Sequence, residues 1–139
     1  LILAIQQGIG QIKLDSLAVR PRVFVEISGS PIMTIDNETL LGEIVKLAGG
    51  ENIFPNLTRN FSRVSAELIV ERDPEIIIVT YPTTENIALR EGWENITAIQ
   101  NNAIFTNINL DVLLRPGPRI VEGLQELHSI FAQTSLEKR

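Results

Sequence analysis

Residues 75–80 read EIIIVT, a run of three isoleucines and a valine with no polar–apolar alternation. A strand with one face in water alternates. A strand that does not alternate fits burial on both faces, as in a parallel sheet covered by helices. The RDP that precedes the run, Arg72 to Pro74, ends whatever helix comes before it, because the residue ahead of a proline is pushed out of the α region.

The rest of the chain supplies that setting. RVFVEIS after Pro21 is rich in β-branched and aromatic residues and predicts a strand near 22–28. GSPIMTIDN reads as a loop with two turn formers. ETLLGEIVKLAGG sets Leu40, Leu41, Ile44, Val45 and Leu47 on one helical face, with Asp36 or Asn37 able to cap its start and Gly49-Gly50 able to end it in a left-handed turn. ENIFPNLTRNFSR reads as mostly irregular, with at most a short extended piece at 52–54. SAELIVERD is a short helix opening on Ser65, with Glu67 in its first turn. Helical material follows Thr84, with Trp93 as an apolar anchor, and AIFTNI predicts a third strand near 103–108. NLDVLLRPGP is a loop, and a last helix starts near Pro118 with Ile120, Leu124, Leu127 and Phe131 as its buried stripe. This order predicts an α/β lobe of three layers with a mostly parallel central sheet flanked by helices. In such sheets ligands bind outside the carboxyl ends of the strands, here SGSPIMT, YPTTEN and NLDVLLRPGP.

The chain starts inside an amphipathic pattern, Ile2, Ile5, Ile9 and Ile12, interrupted by Gly8 and Gly10. Each glycine weakens a helix by about 0.8–1 kcal/mol relative to alanine. Such a start is expected to belong to something larger.

Several chemistries are excluded by what the 139 residues contain. No apolar run approaches the ~20 residues of a membrane-spanning helix. A formal charge of −5 gives no general attraction to nucleic acid. The absence of cysteine removes disulfides, zinc–thiolate sites and thiol nucleophiles, and suits an exported protein. Gly8-x-Gly10 lacks the third glycine and the preceding strand of a dinucleotide loop, and no phosphate-binding GKS or GKT is present. The single histidine, His128, falls in the last helix beside its apolar stripe and has no second imidazole to build a metal cluster. No serine sits in a Gly-x-Ser-x-Gly elbow. Asn-x-Ser/Thr matches at Asn37, Asn56, Asn60 and Asn95 are read as helix caps and turns in an Asn- and Thr-rich sequence. Nothing supplies a nucleophile–base pair, so binding is expected in place of catalysis, with no resident metal or cofactor.

RPRVFVEISGSPIMT, LLGEIVKLAGGENIF, RVSAELIVERDPEIIIVT, AIQNNAIFTNI and RPGPRIVEGLQELHSIF occur in this order over residues 20–134. Together they resemble the C-terminal lobe of the periplasmic solute-binding proteins that serve ABC importers of cobalamin, iron–siderophores and haem. The resemblance implies that residues 1–19 are the end of a helix joining two lobes plus a linker, and that residues 20–139 are the ligand-binding lobe. It implies a missing N-terminal lobe, an interlobe cleft, a permease of the inner membrane as partner, and a periplasmic or membrane-anchored location on the extracytoplasmic side.

The resemblance to the cobalamin-binding members also implies site residues. Phe61 stands six positions before Glu67, where an aromatic packs against the corrin; it is smaller and has no indole N–H. Asp111 and Arg115, four apart in NLDVLLRPGP, match an acid and an arginine of the ligand site. Arg59, Arg63 and Arg115 are candidates to meet an anionic ferric siderophore through charge-assisted contacts, with Met33 and Tyr81 lining the cleft. Haem would want an axial Tyr, His or Met, for which Tyr81 and Met33 are candidates. Glu67 matches a glutamate that docks onto permease arginines. Its other reading is a carboxylate that complements the helix dipole, worth about 0.3–1 kcal/mol. Two further classes stay open on the residues alone: a small α/β regulatory or interaction domain, and a fragment of an enzyme whose catalytic groups lie elsewhere.

Overall fold

A computed structural model describes residues 20–57, 61–106, 125 and 127–133 of the chain. The elements are β1 Arg22–Glu26, β2 Ser28–Gly29, β3 Ile32–Ile35, α1 Leu40–Leu47, β4 Glu51–Asn52, β5 Phe61–Arg63, α2 Ala66–Arg72, β6 Ile76–Val79, a 3-10 turn Ile87–Leu89, α3 Thr97–Gln100 and β7 Ile104–Phe105. The helical residues 125 and 127–133 form α4.

The EIIIVT run does what its composition requires. β6 lies inside a parallel sheet of order β4-β1-β6-β7, with Val23 opposite Ile76, Glu26 opposite Val79 and Ile78 opposite Phe105. Successive side chains of a strand point to opposite faces. Val23, Val25, Ile76 and Ile78 therefore enter one core with Leu41, Ile44 and Val45 of α1 and Leu127 and Phe131 of α4. Phe24, Ile77 and Val79 enter the other, with Ile69 of α2, Ile87, Trp93, Ile96 and Ala98. All four residues of β6 are buried, so the three layers share one central strand. Each such isoleucine contributes about 1.5–3 kcal/mol of transfer free energy.

Three readings are corrected. GSPIMTIDN is no loop: β3 runs through it, and β3 pairs antiparallel with both β2 and β5 in a second sheet of order β2-β3-β5. The segment read as irregular holds β4 and β5, the first sitting one residue earlier than the piece expected at 52–54. The cap of α1 is Thr39, whose hydroxyl accepts from the Gly42 N–H at 3.0 Å, because the Asp36 carboxylate is used one turn earlier by the Glu38 N–H. Gly49 does end that helix in the left-handed region, at φ 105°.

The helix carrying Glu67 is fixed at both ends. Ser65 accepts from the Leu68 N–H at 3.1 Å, and Asp73 closes α2 in the left-handed region at φ 48°. The Asp73 carboxylate then receives the Thr97 N–H at 2.8 Å and the Thr97 hydroxyl at 2.9 Å, tying α2 to the start of α3. Pro74 is buried behind this junction and its carbonyl accepts from the Ala98 N–H.

Candidate site at the carboxyl edge of the sheet

β1, β6 and β7 run in one direction and end together at Glu26, Val79 and Phe105. The residues just past two of those ends, Tyr81, Pro82, Thr83 and Thr84 after β6 and Thr106 after β7, line a cavity of about 620 Å³. Its described wall is one aromatic ring, one proline and three threonine hydroxyls. It offers apolar contact and neutral hydrogen-bonding groups, the usual mixture for a small-molecule site of this size.

Beneath the wall lies a charged cluster that holds it. Glu26 ends β1 with no exposed surface. A buried carboxylate needs compensation, and Arg90 gives it in bidentate form, Nη1 to Oε1 at 2.6 Å and Nη2 to Oε2 at 2.9 Å. The Tyr81 hydroxyl donates to Glu26 Oε2 as well. Arg90 reaches outward to Glu85 with Nε and Nη2, each at 2.8 Å, and its guanidinium lies 4.7 Å from the Trp93 ring centroid. Gly29 of β2 faces this cluster without a side chain; a Cβ there would overlap the Tyr81 phenol oxygen and sit 3.3 Å from Arg90 Nη2.

The electrostatics follow. Burial pushes the Tyr81 phenol up to about 12, helped by its hydrogen bond to Glu26 and that residue's charge and opposed by Arg90. Burial works against the charge on Arg90, but the hydrogen bonds and charges of Glu85 and Glu26 outweigh it and hold the guanidinium above its ordinary value. The hydrogen bond from Arg90 keeps Glu85 below the usual glutamate value, against a smaller opposing effect of burial.

Of the residues marked in the sequence, Tyr81 lies in this wall. Met33 and Arg63 face each other across β3 and β5, Met33 half-buried and Arg63 exposed. The backbone of Phe61, at the start of β5, pairs with Ile35 of β3. Glu67 is exposed in the first turn of α2. Arg59, Asp111, Arg115 and the side chain of Phe61 lie outside the described residues, as do residues 1–19, Ile120 and Leu124. His128 packs at the α1 end, its Nδ1 3.0 Å from the Ala48 carbonyl. Among the described residues no three His, Cys, Asp or Glu side chains converge to hold a metal ion, and no helix is long and apolar enough to cross a membrane.

The Glu26–Arg90–Glu85 cluster was not anticipated, since its members have no local spacing to announce them. One signal was available: RVFVE places an acid on the apolar face of a strand, and such an acid must find a cation elsewhere.

The sequence profile of the Periplasmic binding protein family matches residues 4–107. The chain belongs to that family. Among curated relatives, the Vitamin B12-binding protein of Vibrio parahaemolyticus is 29% identical over 111 residues, covering 79% of this chain and 40% of the relative. An uncharacterized ABC transporter substrate-binding lipoprotein of Bacillus subtilis is 30% identical over 118 residues, covering 83% of this chain and 37% of the relative. A possible iron-binding periplasmic solute-binding protein of Staphylococcus epidermidis superposes with a TM-score of 0.77 at 29% identity, over 90% of this chain and 51% of that structure. The periplasmic vitamin B12-binding protein of Vibrio cholerae, at 24% identity and a TM-score of 0.73, shares the fold over 99% of this chain and 52% of its own length. The chain thus spans about two-fifths of the first curated relatives, 40% and 43% of their lengths.

Proposed function

We propose that this chain is the C-terminal lobe of the solute-binding component of an ABC importer, which captures a corrinoid or ferric-siderophore-type chelate in a cleft between two lobes and delivers it to a membrane permease on the extracytoplasmic side. The observation that carries the reading is the cavity at the carboxyl edge, walled by the ends of β6 and β7, in a chain whose family members are about twice its length. A half-open wall of ring and hydroxyls needs a second wall to enclose a bulky ligand. Phe61, Met33 and Arg63 from the small antiparallel sheet, and Arg59, Asp111 and Arg115, extend the ligand surface in this reading. Glu67, exposed on a helix pinned at Ser65 and Asp73, is the docking acid for permease arginines. The lobe binds and presents its ligand and performs no catalysis.

Calorimetric titration of the two-lobed protein with cyanocobalamin, ferrioxamine B and haemin tests this. The reading expects one of them to bind with a Kd between about 1 nM and 1 μM. Binding of none would refute it.

A further inference from the structure

Arg90 holds two carboxylates, and they are not equivalent. Glu26 has no exposed surface, whereas the Glu85 side chain is 44% exposed. A buried pair is costly to break, while an exposed ion pair contributes little and is easily exchanged. Glu85 sits on the Nε–Nη2 edge of the guanidinium, with both contacts at 2.8 Å, in the parallel geometry by which arginine takes a carboxylate. That edge lies beside the cavity wall, because the Glu85 N–H donates to the Thr83 hydroxyl at 3.0 Å and Thr83 lines the cavity. The opposite side of the guanidinium is fixed by Glu26, and the Trp93 ring centroid lies 4.7 Å away. A fork held in this way loses little freedom when a carboxylate enters it. The charges point the same way. The described wall residues, Tyr81, Pro82, Thr83, Thr84 and Thr106, are uncharged, and two carboxylates on one guanidinium leave a net negative charge beside them.

We propose that the Nε–Nη2 edge of Arg90 is a carboxylate-binding fork beside the cavity, and that Glu85 fills it from within the chain. On the receptor reading above, Glu85 is then a specificity-determining residue. It withholds Arg90 from ligands that carry a carboxylate, and the site favours a neutral ligand over its anionic counterpart. The hydrogen bond from Arg90 that holds Glu85 below the usual glutamate value agrees with this, since Glu85 stays ionised and keeps the fork filled.

The test compares the two-lobed protein with its Glu85→Ala variant, using two pairs of probes that differ only in carboxylates. One pair is cyanocobalamin and its monocarboxylic acid, in which one side-chain amide is hydrolysed; the other is haemin dimethyl ester and haemin. Comparing the ratio of affinities within a pair cancels any general loosening of the wall by the substitution. For the pair that binds, Glu85→Ala should shift the ratio toward the anionic member by about threefold to tenfold, between the worth of an exposed charge and that of a charge-assisted hydrogen bond. An unchanged ratio, or a shift toward the neutral member, would overturn the proposal. A second arm needs no ligand: acetate should give a saturable shift of the Arg90 Nε–H resonance in Glu85→Ala and none in the unmodified protein. Absence of that shift in the variant would also overturn the proposal. If all four probes fail to bind the unmodified protein, the receptor reading falls, while the acetate titration still decides whether Arg90 is a carboxylate fork that Glu85 fills.

Discussion

Glu26 and Arg90, 64 residues apart in sequence, form a bidentate ion pair at the carboxyl edge of the parallel sheet, with no exposed surface on the acid and 11% on the arginine side chain. The pair joins the end of β1 to the segment that follows the cavity wall. Removing the arginine alone leaves a buried charge without its countercharge. Arg90→Ala should therefore cost about 3–5 kcal/mol in urea unfolding. Replacing both members with apolar residues of similar volume, Glu26→Leu with Arg90→Met, should cost much less than Arg90→Ala alone.

The chain's single tyrosine makes the cluster directly observable. Tyrosinate absorbance of the folded protein should titrate near 12, against an ordinary value of about 10. The folded value is raised, so the folded state holds the proton longer than the unfolded chain does. The stabilisation is complete below about pH 10 and is lost as pH rises toward about 12. A midpoint near 10 in protein that is still folded would show that the hydroxyl is not held by Glu26.

Gly29→Ala should act on the same reporter. The added methyl overlaps the phenol oxygen and presses on Arg90. Tyr81 should then leave Glu26 and its titration should fall toward the ordinary value, with a stability loss of about 1–3 kcal/mol from overpacking.

Much of this architecture was legible because local pattern and tertiary role agree. EIIIVT had to be covered on both faces, and alternate residues of β6 do enter two different cores. Ser65 and Asp73-Pro74 mark the ends of α2 where capping chemistry puts them. β3 was hidden because IMTI is framed by Ser-Pro and Asp-Asn, which read locally as turns; its strand character comes from pairing with β2 and β5. Two- and three-residue strands such as β4 and β5 are too short to show a period. Three cap formers within four residues, Asp36, Asn37 and Thr39, competed at α1, and Thr39 won because Asp36 was already bound to the Glu38 N–H. The wall loop YPTTEN was visible as a strand end; the buried pair supporting it was not, since ion pairs formed by long-range folding leave no spacing in the sequence.

Glu67 separates docking from capping. Charge reversal by Glu67→Arg at the exposed first turn of α2 should cost only about 0.3–1 kcal/mol of stability. In the two-lobed protein the same change should leave ligand affinity intact and abolish uptake by cells that depend on the importer. Normal uptake would leave Glu67 as a carboxylate that only complements the helix dipole.

The most direct measurement compares the affinity of this chain alone with that of the two-lobed protein for the same ligand, by calorimetry against cyanocobalamin, ferrioxamine B and haemin. A cleft closed by two lobes predicts tight binding by the whole protein and a loss of at least about a thousandfold, roughly 4 kcal/mol, for the chain on its own. Equal affinity in the two would contradict an interlobe site.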